Sequence, residues 1–191
     1  MISATENRRA YVVLLACACG LLVILPFVTS FDDLLTAGAQ WLGIAAPLQS
    51  VAPIEARMVV ALVNLVGVHA GAAGSQLVVW NGAGQPQWLF ISWNCVGWQS
   101  LLLLTLSLLS GLRGQYTAGA RIQVILLGLS GTLCISLLRI AVVCLLAASL
   151  GHVPAILFHD YGGTLLTLAW LFAFWALAYR WILPEPAGRA A

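Results

Sequence analysis

Ile122–Leu150 is the longest apolar run in the chain, and a single charge, Arg139, interrupts it. About 20 apolar residues suffice to cross a bilayer as a helix, so this run reads as a membrane span. Tyr11–Thr29, Val96–Leu112 and Tyr161–Leu183 read the same way, and Pro184 and Pro186 end the last of them. Leu34–Leu48, with Gln40 and Pro47, and Met58–Ala73, with Asn64 and His69, are weaker candidates. The pattern predicts an all-α polytopic membrane protein with about six transmembrane helices, forming a single integral membrane domain over 1–191.

Composition supports this. The 191 residues are 62% hydrophobic and 7% charged, against about 25% charged in a soluble domain. That excludes an ordinary soluble globule and a disordered chain. There is no Lys, and the eight Arg are scattered, so no basic patch suits nucleic acid. Arg8 and Arg9 before an apolar run imitate a signal peptide. The run is long and no small-residue cleavage site follows it, so it reads as a retained helix.

One segment departs from the helical pattern. In Ser75–Ser92, the runs Gln76–Trp80 and Gln87–Ser92 alternate, with Asn81, Gly82 and Gly84 between them. This predicts a small β-hairpin just before the fourth span. Open strand edges are not tolerated in hydrocarbon, so the hairpin is expected outside the bilayer, as a lid or a reader of a substrate motif. Its Trp80 and Trp88 suit an interfacial aromatic belt.

The Arg residues set the expected orientation. With a cytoplasmic N-terminus and six spans, Arg8, Arg9, Arg57, Arg113, Arg121, Arg180 and Arg189 all fall inside, as the positive-inside rule prefers. Glu55 falls with Arg57 in the loop between the second and third spans. Asp32, Asp33 and Asp160 fall outside with the hairpin. Both termini are thus expected in the cytoplasm of a multi-pass protein of the cell membrane. If the two weaker stretches do not fully span, the count falls to four and the orientation stays.

Arg139 is left within a span, where an ionisable side chain is a candidate for function; snorkelling to headgroups is the ordinary alternative. It lies 18 residues after Arg121, hence about 27 Å further along a helix and near the outer edge of the core. Cys95 at the outer start of the fourth span and His159 at the outer start of the sixth reach the same depth. A thiol at a helix N-terminus near a cation has a lowered pKa. These three side chains suit thiol acyl transfer: Cys95 as nucleophile, His159 as general acid and base, Arg139 stabilising the thiolate and the oxyanion. Cys17, Cys19, Cys134 and Cys144 lie in apolar runs and read as packed small hydrophobes. No spacing suits a metal site, and no cofactor is called for. Around the three, Asn94 is a helix cap or a substrate contact, and Trp98, Ser136 and Asp160 are further candidate substrate-binding residues. Asp160 directly follows His159, and adjacent side chains on a helix do not face each other, so a minor or solvating role is expected for it.

Two other readings remain open. A non-enzymatic membrane subunit or transporter component would pair Arg139 with a membrane acid, and no Asp or Glu lies within the expected spans. A membrane thiol oxidoreductase needs a second reactive Cys, for which Cys144 is the nearest candidate; an S-acyltransferase is a further variant.

The ordered stretches Asn94-Cys95-Val96-Gly97-Trp98-Gln99-Ser100, Ser136-Leu137-Leu138-Arg139-Ile140 and Phe158-His159-Asp160-Tyr161-Gly162-Gly163 resemble the exosortase/archaeosortase family. The resemblance covers roughly residues 88–181. Val96 stands where the family has Ser, Thr or Ala, and Ser136 where Asn often precedes the Arg by three. The resemblance implies a membrane-embedded cysteine protease or transpeptidase acting on the extracytoplasmic face. Its partners would be secreted proteins ending in a tripartite signal (a short motif, a hydrophobic helix, a basic tail) and a surface acceptor. It implies Cys95 as nucleophile, Arg139 as oxyanion and substrate contact, and His159 as acid/base.

Overall fold

A computed structural model describes residue 30 and residues 33–183. The expected first span Tyr11–Thr29 lies outside the described residues, as do Arg8, Arg9 and Arg189. The chain divides into two compact units, Met1–Ile44 and Ala45–Ala191. Residues 33–41 of the first are helical. All residues of the candidate site belong to the second.

The second unit begins with helices α1 (Ala45–Gln49) and α2 (Ala52–Leu65). Pro53 sits in the first turn of α2, where its missing N–H costs no helical bond. Ala52, Glu55, Ala56, Val59 and Val63 form the buried face, at the spacing of one helical stripe. The two weaker stretches are therefore not a pair of spans joined by a loop at Glu55 and Arg57. Both charges lie inside α2, and Glu55 is buried with its Oε2 unpartnered. An acid thus does lie within an apolar helix, contrary to the expectation.

After Gly67, whose φ of 86° ends the helical path, three antiparallel strands follow: β1 (Ala70–Ala73), β2 (Gln76–Trp80) and β3 (Pro86–Phe90), in the order β1-β2-β3. Gln76 pairs with Phe90 and Trp80 with Pro86, while Ala70 pairs with Val79. The expected hairpin is present. The extra strand β1, Ala-Gly-Ala-Ala, carries no strand-favouring residue, and Asn64 holds it: its Oδ1 accepts from Ala70 N at 2.8 Å and its Nδ2 donates to Ala70 O at 3.3 Å. The β2–β3 connection is a longer loop closed by Asn81, whose Oδ1 accepts from the amides of Ala83 and Gln85.

A 3₁₀ turn (Trp93–Val96) leads into α3 (Trp98–Gly111). At 14 residues α3 extends about 21 Å, less than the bilayer core. α4 (Ala118–Ser149) has 32 residues and extends about 48 Å. The last long helix starts nine residues earlier than expected. It comprises α5 (His152–Leu157), a π-helical turn (Phe158–Gly162), α6 (Gly163–Leu177) and a closing π turn (Ala178–Ile182).

Three helices among the described residues are long and apolar enough to cross a membrane: Ala45–Leu65, Ala118–Ser149 and His152–Ile182. The protein is mostly helical with one small sheet, and six spans are not what the described residues provide. Leu126, Leu129 and Leu133 on α4 and Phe172 on α6 are exposed, as suits helices facing lipid rather than water. Two cores hold the second unit. One joins α2, β2 and α4 through residues such as Val59, Leu77, Val79 and Cys144; the other joins α3, α4 and α6 through Leu104, Val124 and Phe174.

Candidate functional site

Cys95 sits in the 3₁₀ turn, one step before α3, rather than at the helix N-terminus itself. Gly97 separates the two. Its φ of 76° is in the left-handed region, and a Cβ there would meet Ser136 Oγ at 2.5 Å. Both the backbone path and the approach of α4 therefore require glycine. Ser136 is buried at this contact. Asn94 Oδ1 accepts from Trp98 Nε1 at 3.3 Å and from Gln99 Nε2 at 3.0 Å, and the rings of Trp93 and Trp98 stack at 6.1 Å. Asn94 and Trp98 thus tie the turn that carries the thiol to the start of α3, and Ser136 of α4 lies against it at Gly97.

Two residues that the sequence did not single out complete this turn. Ser92 occupies its N-cap position, where a hydroxyl usually accepts from a backbone N–H. Here the Oγ makes no capping bond and lies 3.3 Å from Cys95 Sγ. A serine three residues before the cysteine was a visible signal. Gln49, at the end of α1, was not: its partners are 26–44 residues away. Gln49 Oε1 accepts from Trp93 N at 2.7 Å, and its Nε2 donates to Ser75 Oγ at 3.0 Å and Ile91 O at 3.2 Å. One amide clamps the end of the sheet to the start of the cysteine turn.

His159 lies within the π turn, not at the start of a helix. Its Nε2 is 3.3 Å from Cys95 Sγ, and its Nδ1 is 2.9 Å from Asp160 Oδ1. The expectation that adjacent side chains would not face each other fails here. A π turn widens the helix and changes the angle between neighbours, and such turns recur at functional sites. Burial by itself pushes the Cys95 thiol pKa up. The hydrogen bond to His159, that to Ser92, the charge on His159 and the Ser92 backbone together more than offset it, and the thiol is held below its ordinary range.

Arg139 reaches the same turn from α4. Its Nη2 donates to the carbonyl of His159 at 3.2 Å. Arg139 also lies against Gly163, where any Cβ would collide with the guanidinium. Its bond is to the turn that carries His159. Among the described residues the one ion pair is that of His159 with Asp160, so Glu55 is not the membrane partner of Arg139. Cys95, Ser92, His159 and Asp160 border a cavity of about 470 Å³, and Cys144 lines it from α4. The thiol and imidazole are therefore in contact, a carboxylate sits behind the imidazole, and a guanidinium holds the imidazole's backbone.

No protein-family pattern matches the chain, nor does any curated protein or any solved structure.

Proposed function

We propose that this protein is a membrane-embedded cysteine peptidase or transpeptidase. It would cleave secreted proteins near a C-terminal sorting signal on the extracytoplasmic face and pass them to a surface acceptor. The observation that carries the reading is the 3.3 Å contact between Cys95 Sγ and His159 Nε2, with Asp160 on the opposite ring nitrogen at 2.9 Å. A nucleophile, a base in hydrogen-bond reach and a group orienting that base form the arrangement that thiol acyl transfer requires.

His159 takes the Cys95 proton, and the thiolate attacks the substrate carbonyl. The tetrahedral intermediate collapses as His159 returns the proton to the leaving amine, leaving a thioester on Cys95. Water or an acceptor nucleophile, deprotonated by His159, then attacks the thioester and releases the thiol. Asp160 holds the imidazole in the tautomer that presents Nε2 to sulfur. Arg139 holds the His159 carbonyl, and its remaining N–H groups are the candidate oxyanion donors. A substrate tethered by its own membrane helix meets the thiol locally, which replaces a bimolecular encounter.

Cys144 on the wall of the same cavity favours a second reading, a thiol oxidoreductase in which the Cys95 and Cys144 thiols become a disulfide as a substrate disulfide takes their two electrons and two protons and leaves as a dithiol. One experiment separates the two. Cys95→Ala and Cys144→Ser are each co-expressed with a secreted protein ending in a short motif, a hydrophobic helix and Arg residues. Peptidase action predicts that Cys95→Ala abolishes processing while Cys144→Ser processes normally. Wild-type-like processing by Cys95→Ala refutes the acyl-transfer reading.

A further inference from the structure

β3 is an edge strand that runs toward the cysteine turn, and its ladder has a defined parity. Ile91 N donates to Ser75 O at 2.9 Å, and Asn81 N donates to Gln85 O at 3.0 Å. With the register Leu77↔Leu89 and Val79↔Gln87, the odd-numbered residues from 85 to 91 point their backbone groups at β2. Trp88 and Phe90 point theirs the other way, and Pro86 has only a carbonyl to offer there. Among the described residues, no hydrogen bond engages the N–H or C=O of Trp88 or Phe90.

The edge faces the cavity that holds the dyad. Five consecutive residues, Trp88 to Ser92, line it, followed by Cys95. Leu77 of β2 also lines it, so the cavity touches the sheet face that Leu77 shares with its partner Leu89; along β3, residues of both side-chain parities border it together, as they do where a strand presents its edge. The lining also includes Ile140 and Val143 of α4, Ile156 of α5 and the His159–Asp160 pair. At about 470 Å³ the cavity has the size of a ligand pocket. It therefore combines unpaired backbone donors and acceptors, aliphatic walls and, at one end, a nucleophile.

We infer that the free edge of β3 is the docking site for the substrate, an extended peptide that adds a fourth strand by hydrogen-bonding to Trp88 and Phe90. This inference rests on the peptidase reading above and specifies how its substrate is held. The chemistry selects the occupant. An unpaired strand edge is satisfied by another backbone in the extended conformation, with side chains read by pockets at alternate positions. The aliphatic wall takes an apolar side chain next to the scissile bond, and pairing with the edge delivers that bond to Cys95. It also requires the edge to lie outside the hydrocarbon, where a substrate segment is extended rather than helical.

The test uses the full-length protein in detergent micelles and two thiol probes. Acetyl-Val-Thr-Val chloromethyl ketone alkylates Cys95 with loss of chloride. Its counterpart carries N-methyl groups on the peptide nitrogens and keeps the same side chains. Edge pairing predicts that the unmethylated probe labels Cys95 about tenfold faster or more, since methylation removes the backbone donors. Phe90→Ala keeps the backbone N–H, whereas Phe90→Pro removes it without touching the β2 ladder. The unmethylated probe should label Phe90→Pro more slowly than Phe90→Ala, and the methylated probe should show a smaller difference between the two variants. Iodoacetamide, which needs no strand pairing, monitors the dyad itself. Equal rates for the two probes, while iodoacetamide labelling still depends on His159, overturn the docking mode and leave the peptidase reading standing. Iodoacetamide labelling indifferent to His159→Asn removes both. If a second copy of the chain occupies the edge instead, Phe90→Pro converts a dimer to a monomer in light scattering with no selective effect on the peptidyl probe. That result also overturns the proposal.

Discussion

Cys95 Sγ and His159 Nε2 lie 3.3 Å apart across 64 residues of chain. Neither side chain is held there by its own element alone. A 3₁₀ turn pinned by Gln49 and Gly97 supplies the sulfur. A π turn pinned by Arg139 supplies the imidazole. The contact is thus the product of two local distortions, one on each side of the cavity.

The pH profile of Cys95 alkylation follows from this contact. The thiolate is the reactive form, so the rate rises as pH climbs through the thiol pKa. That pKa is lowered by His159 and Ser92 against the effect of burial, so the rise should begin below the roughly 8.5 of a free cysteine. His159→Asn should move the midpoint upward, and Ser92→Ala should move it upward by less. Iodoacetamide kinetics between pH 5 and 10 measure both; a midpoint unchanged in His159→Asn would contradict the dyad.

Asp160→Asn tests the carboxylate behind the imidazole. Asp160 is about half exposed, so its loss should cost less than the loss of His159. General acid–base catalysis is worth about 10²–10⁴ in rate, and the Asn variant should retain a measurable part of it. The check is the processing rate of the two variants at one pH.

Gly163→Ala should disable Arg139 without touching it. The added Cβ collides with the guanidinium, and overpacking of this kind costs roughly 1–3 kcal/mol. The expected result is loss of the bond to the His159 carbonyl and slower processing. Arg139→Lys should fail similarly, because a point charge does not reproduce the planar fork. Full activity in both would remove Arg139 from the site.

Gln49→Ala should leave the Trp93 amide unpaired, at a cost of about 1–3 kcal/mol. Gln49→Glu keeps the acceptor for Trp93 and loses the donor to Ser75 and Ile91. A positioning role predicts that Ala raises the midpoint of Cys95 alkylation while Glu recovers part of the shift. A purely structural role lowers the unfolding temperature and leaves that midpoint in place.

Orientation is open to direct labelling. With the site extracytoplasmic, a membrane-impermeant thiol reagent applied to intact cells should reach single cysteines at positions 95 and 159 and not at 117. The reverse pattern would invert the topology.

Amino-acid order alone was enough for the membrane character, the two longest helices and the hairpin, because each is a local pattern of apolar runs or alternation. It also singled out Cys95, Arg139 and His159, since a charge and two reactive groups stand out in so apolar a chain. Tertiary structure decided what those residues touch. Glu55 and Arg57 look like a loop, yet α2 runs through them, because the buried stripe from Ala52 to Val63 packs on β2 and α4. β1 has no propensity of its own and exists through Asn64 and its pairing with β2. Asp160 meets His159 inside a π turn, a departure from the regular helix that an apolar run does not announce. Gln49 finds Trp93 across 44 residues, and Arg139 finds the His159 carbonyl because Gly163 leaves room. Periodicity reports which way a side chain points from its own backbone. Contacts between distant segments depend on how those backbones are packed and bent, which no local pattern encodes.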